Sequence, residues 1–133
     1  VLLGPVSFLS ITLGVFLQSV MFQFGGLTAV GANALLMGVP ALVCGFLFNL
    51  LRGKSLRSHS LSGGICGMVG ILLAALHLAS FLSLSGEDFF GIAKISLVAH
   101  IPVLIIEGFV SSCAVSFLYR VKPELVRRDD YLP

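Results

Sequence analysis

The chain has 133 residues, of which 57% are hydrophobic and 11% charged, with a mean hydropathy of +1.08 and a formal net charge of +2. A soluble domain carries roughly 25% charged residues, so this composition excludes a water-soluble globular domain. The basic residues form no stripe, which excludes nucleic acid as a partner.

Residues 1–51 contain no Asp, Glu, Lys or Arg, and residues 58–86, 95–106 and 108–119 are equally free of them. A charge at the centre of a bilayer costs about 2.5–3.5 kcal/mol, whereas Leu, Ile and Phe are favourable there. The pattern predicts an integral membrane protein whose solvent is membrane lipid. A spanning helix needs about 20 mostly apolar residues. The first predicted span runs from Val6 to Phe22 behind Gly4-Pro5, since proline at a helix start lacks only a donor that has no partner there. A turn at Gln23-Phe24-Gly25-Gly26 leads to a second span from Thr28 to Leu51, which ends in a loop with Arg52, Lys54 and Arg57. The third covers Leu61 to Leu84 and the fourth Ile95 to Tyr119, with Ser85-Gly86-Glu87-Asp88 and Lys94 between them. The expected fold is all-α, a polytopic transmembrane helix bundle of four spans forming a single domain over residues 1–133, with residues 120–133 as a tail. Short cytoplasmic loops carry the excess of Lys and Arg. Three basic residues lie in the second loop and four in the tail (Arg120, Lys122, Arg127, Arg128), so that loop and the C-terminus are expected in the cytoplasm. The Gly25-Gly26 turn and the Glu87-Asp88 loop are then expected outside. Because the chain opens on Val1 inside an apolar run, it is expected to lack its beginning.

Small residues allow close backbone approach, which is how helices associate in lipid. Gly63 and Gly67 are spaced for this, and Gly70 has Ala74 four residues on; intrachain packing is the commoner use, a subunit contact the other. Gly31, Gly38 and Gly45 suggest a second smooth face, and Pro40 and Pro102 interrupt their spans. Cys44, Cys66 and Cys113 lie in apolar segments without CxxC spacing and read as buried small hydrophobes, with a disulfide or metal site as the less favoured use.

His100 and Glu107 are seven residues apart, on one helix face at about 10.5 Å axial separation. Glu107 is mid-span, where a carboxylate needs a partner or water. It reads as part of a substrate or proton path, as a clamp on a bent helix, or as a neutral carboxyl bonded to a neighbouring helix. His100 reads as a structural hydrogen-bonding group or as a metal ligand. Asn33 is placed to orient an outer loop or to bond an adjacent helix, as is expected of Gln18. His77 reads as a packing residue and His59 as solvated in the basic loop. The chain has no GxxxxGK[ST] loop, no HExxH and no Ser-His-Asp order with elbow glycines, so no enzyme activity is expected.

Two passages carry a resemblance. Gly25-Gly26-Leu27-Thr28-Ala29-Val30-Gly31-Ala32-Asn33, with Met37 beyond, resembles the GGLTALGAN-x-x-x-M signature of the CbiM/NikM family, the cobalt and nickel capture subunits of energy-coupling factor transporters. Ala99-His100-Ile101-Pro102 through Glu107-Gly108, closed by Lys122-Pro123-Glu124-Leu125, is similar to that family's AH-[LIV]-P-x4-EG and [RK]-P-E-[LM] segments. The resemblance implies capture of Co²⁺ or Ni²⁺ from outside as transported substrate, in the inner membrane of a prokaryote. It implies a transmembrane coupling subunit and cytoplasmic ATPase subunits as partners, with no hydrolysis by this chain and no cofactor bound to it. In the family a Met-His-x-Pro amino terminus and a histidine in a TSGH-like passage before the Val1–Pro5 segment hold the metal; neither element is in these residues. No metal ligand is therefore assigned, and Asn33, His100 and Glu107 are left as candidates for supporting the ligands or for gating. Leu36 replaces a second Asn of many relatives and Phe24 an Asp. The other readings are a membrane scaffold subunit of another complex and a proton-linked carrier using His100 and Glu107.

Overall fold

A computed structural model describes residues 3, 6–22, 29–53 and 55–126. The order is α1 (Val6–Phe22), α2 (Val30–Leu51), α3 (Leu56–Leu84), a 3-10 turn (Glu87–Phe89), α4 (Phe90–Val121) and the short α5 (Pro123–Val126), with no strand among the described residues. The expected all-helical bundle is what the chain forms. Three helices, α2, α3 and α4 with its leading turn, are long and apolar enough to cross a membrane, and α1 is a shorter apolar helix of 17 residues. At 1.5 Å per residue α1 is about 26 Å long and α4 about 48 Å, so α4 outreaches a 30 Å hydrocarbon core unless it tilts or emerges. The predicted Gln23–Gly26 turn lies outside the described residues.

The helix ends depart from the sequence expectation for local reasons. The third helix begins at Leu56 rather than Leu61 because Ser55, in extended backbone, caps it by accepting a hydrogen bond from Ser58 N. Ser58 Oγ in turn accepts from Gly53 N at 2.8 Å, tying the loop to the new helix. Gly86 stops the chain from continuing, since its φ of 142° lies where side chains are strained. The fourth helix then starts at Phe90, which places Lys94 inside it rather than in a loop. Lys122 leaves helical geometry because Pro123 follows it. Pro40 and Pro102 are carried within continuous helices.

Each helix packs on its neighbour in the chain, and the α3/α4 pair is the most extensive. It is antiparallel and built on missing side chains. A Cβ on Gly63 would lie 2.6 Å from Val115 Cγ2, and one on Gly67 would lie 2.7 Å from Ser111 Oγ and 2.9 Å from the Glu107 carbonyl. Gly108 answers from α4, with Met68 over it. Gly70 faces the other way, where a Cβ would lie 3.2 Å from Cys44 Sγ of α2. On α2, Gly38 lies under the Phe8 ring, but Gly31 and Gly45 have nothing close, so the second smooth face is used only in its middle.

The buried apolar cluster is small: Cys44, Phe48, Cys66, Val115 and Val126, flanked by Leu47, Val69 and Leu118. Large apolar side chains cover the outside instead, among them Phe46 at 74% and Phe109 at 72% exposure. A soluble monomer does not show apolar surface on that scale, and hydrocarbon removes its cost. The chain is an integral membrane protein.

Candidate functional site

A cavity of about 340 Å³ opens where α2, α3, α4 and α5 meet. Gly63, Gly67 and Gly70 of α3 are among its lining residues, and its walls are apolar apart from Glu107 and Ser111. Both come from α4 one turn apart, and Ser111 Oγ donates to Glu107 Oε1 at 3.2 Å. Glu107 is half-buried, and no basic side chain pairs with it among the described residues. A carboxyl within an apolar spanning segment thus has one hydrogen-bond donor on its own helix and faces a cavity. Ser111 was not singled out from the sequence; its place four residues after Glu107 was the available signal.

His100 lies two turns away on the same helix, also half-buried. Its Nδ1 is 2.7 Å from the Ser96 carbonyl, which only accepts, so Nδ1 carries a proton and donates, and Nε2 has no hydrogen bond among the described residues. His77 repeats this with the Leu73 carbonyl at 2.7 Å, in keeping with a packing role. Asn33 lies in the first turn of α2, half-buried and with no hydrogen bond among the described residues. Asn33 and His100 thus belong to the half of the bundle near the Glu87–Phe89 turn, while Glu107 lies near the middle of α4. No group of three or more His, Cys, Asp or Glu able to hold a metal ion occurs among the described residues.

Three polar residues behave otherwise than the sequence suggests. His59 is not solvated: it is 3% exposed, its Nδ1 is 3.1 Å from the Ser55 carbonyl, and its ring packs against Tyr119 at 4.8 Å and Phe48 at 6.2 Å. The reason is that α3 starts early and brings the residue under the end of α4. Gln18 is exposed and bonds no neighbouring helix among the described residues. Cys113 is exposed on α4, whereas Cys44 and Cys66 are buried and linked across α2 and α3, with Cys44 Sγ 3.1 Å from the Cys66 carbonyl. A further interhelical bond, Ser60 Oγ to Ser112 Oγ at 2.7 Å, joins residues 52 positions apart, and no sequence signal connects them.

At the basic end, Arg52 Nη1 donates to the Val126 carbonyl at 3.2 Å, and Val126 is itself 2% exposed. The short α5 is therefore folded back so that Val126 joins the buried cluster around Phe48.

The family model described as "Cobalt uptake substrate-specific transmembrane region", CbiM, matches residues 1–125. The chain belongs to the CbiM family. Among curated relatives, a Haemophilus influenzae protein named for metal transport is 30% identical over 96% of this chain and 64% of its own length. The Sorangium cellulosum cobalt transport protein CbiM is 30% identical over 96% of the chain and 60% of its own length. An Archaeoglobus fulgidus protein named for fused nickel transport, NikMN, is 26% identical over 96% of the chain and 44% of its own length. The chain thus spans less than two thirds of these CbiM-like proteins. No solved structure matches it significantly.

Proposed function

We propose that this chain is part of a membrane subunit that captures a divalent transition metal ion, Co²⁺ or Ni²⁺, for uptake. The observation that carries the reading is the CbiM match across residues 1–125, with relatives named for cobalt and nickel transport. The ion is substrate rather than resident cofactor. Nitrogen-rich ligand sets suit Ni²⁺ and Co²⁺ among the divalent ions.

In this reading Asn33 and His100 support the captured ion's site from the half of the bundle near the Glu87–Phe89 turn, and Glu107, bonded to Ser111 within α4, presents a polar group to the cavity. The glycine seam of Gly63 and Gly67 holds the two helices close beside that cavity. A transmembrane coupling subunit and cytoplasmic ATPases drive the cycle, and the basic loop and C-terminus face the cytoplasm.

The test is to express the complete reading frame containing this chain, with its neighbouring genes, in cells lacking their own cobalt and nickel importers. Uptake of radioactive cobalt or nickel, abolished by chelators and dependent on copurifying ATPase subunits, is the expected result. A complete frame without a Met-His start and without a second histidine before Val1 defeats metal capture. Copurification with a redox or secretion complex instead supports the scaffold reading.

A further inference from the structure

The polar residues at the basic end of the α3/α4 seam are left unused by metal uptake. Ser60, Ser112, Cys113, Ser116, Phe117 and Arg120 line a niche of about 330 Å³ there. Ser60 and Ser112 are bonded to each other across the helices. Ser116 is different from serines such as Ser62, Ser80 and Ser83, whose hydroxyls turn back to carbonyls of their own helix. Its Oγ has no hydrogen bond among the described residues, and neither does the exposed guanidinium of Arg120 one turn further on. Arg57 lies one turn before Ser60 on α3, at the same end.

The niche has two kinds of wall. The polarity changes around α4: Ser112, Ser116 and Arg120 recur every fourth residue along one stripe that ends where Arg120 closes the helix, while Cys113 and the 65% exposed Phe117 form the adjacent stripe and continue into the apolar surface. An amphiphile fits such a graded wall: an anionic head against donors, acyl chains along exposed apolar side chains. Basic pockets between spanning helices hold anionic lipid head groups on this principle, and a guanidinium is the side chain best matched to phosphate geometry.

We propose that this niche is a phosphate-binding site, occupied by the head group of an anionic phospholipid held by Arg120 and Ser116 and flanked by Arg57. The shared chemistry is the phosphate ester, which a lipid or free phosphate supplies; the apolar continuation past Phe117 favours the lipid. The site is separate from the Glu107 cavity and does not depend on which metal is carried.

The experiment uses the complete protein, purified with mild detergent and placed in nanodiscs of phosphatidylcholine with a minor share of phosphatidylglycerol. Lipid retained after detergent extraction is read by native mass spectrometry for wild type, Arg120→Gln, Ser116→Ala and, as a control at the other end of α4, Lys94→Gln. Wild type and Lys94→Gln are expected to retain phosphatidylglycerol selectively, and Arg120→Gln to lose about fivefold in retention, as for one basic contact at an anionic surface. Inorganic phosphate added at millimolar concentration distinguishes the sources: no displacement supports the lipid, and displacement with saturable phosphate binding assigns the same site to free phosphate. Equal retention by wild type and Arg120→Gln, with phosphate binding also unchanged, overturns the proposal. Arg120 is exposed, so its variant folds, and an unchanged melting temperature verifies that.

Discussion

Glu107 is the single acidic residue in α1 to α4, and its surroundings define what a substitution there does. Gln keeps an oxygen that accepts from Ser111, so Glu107→Gln is expected to retain fold and metal uptake if the residue acts as a hydrogen-bond acceptor. Loss of uptake in that variant, with the melting temperature unchanged, would instead favour the proton-linked carrier. Leu removes the acceptor but frees Ser111 to turn back to its own helix, so Glu107→Leu is expected to cost only about 0.6–1.7 kcal/mol of stability in detergent unfolding. His59 is a stronger structural residue than its loop position suggests. His59→Ala removes ring packing against Tyr119 and Phe48 and is expected to destabilise by about 1–3 kcal/mol, seen as a lower melting temperature. The cysteines differ in access: a membrane-permeant maleimide is expected to modify Cys113 first and to leave Cys44 and Cys66 unmodified until the bundle unfolds. Equal labelling of all three would contradict the burial.

Among the elements, the α3/α4 pair carries the architecture, and glycine is what makes it close. Glycine inside a helix costs roughly 0.5–1 kcal/mol relative to Ala, and here that cost is offset by van der Waals contact between backbones, the main attraction available where lipid is as apolar as the side chains. Gly67 meets the Glu107 carbonyl, which is backbone and has nowhere to move. Gly67→Leu is therefore expected to force α4 outward, destabilise by about 1–3 kcal/mol and disturb the Glu107 cavity; unchanged melting and unchanged cross-linking between α3 and α4 would refute this. Gly45 offers the control. Nothing lies near its Cβ, so Gly45→Ala is expected to leave stability within about 0.5 kcal/mol of wild type or raise it.

Taken as a whole, the molecule is a row of helices with a thin core, an apolar outside and charges gathered at its ends. Arg52, Arg57, Arg120 and Lys122 share one end, and Glu87 and Asp88 the other. That separation follows from the elements' order alone, because α2 ends, α3 begins and α4 ends on the same side. Only Lys94 and Glu107 are charged within the long helices away from the basic end. An exterior lined with side chains such as Phe46 and Phe109 makes detergent or lipid a requirement for the folded state. The expected measurement is aggregation when detergent falls below its micellar concentration; a folded monomer in buffer alone would contradict the membrane assignment.

The helical class, the apolar helices, three of them long enough to span, the charge-bearing ends and the family resemblance were legible in the residues, because solubility in hydrocarbon acts on every side chain along a segment and therefore shows in local composition. Helix starts were less legible: the Ser55 cap and the positive φ of Gly86 are local, but choosing among several turn residues requires the hydrogen bonds they make. The site divided in the same way. Glu107 and His100 stood out as rare polar groups in apolar runs, while the cavity before Glu107, the burial of His59 and the Ser60–Ser112 bond came only from the fold. These depend on which face of one helix meets which face of another, and packing between residues far apart in the chain leaves no mark on the composition of either segment.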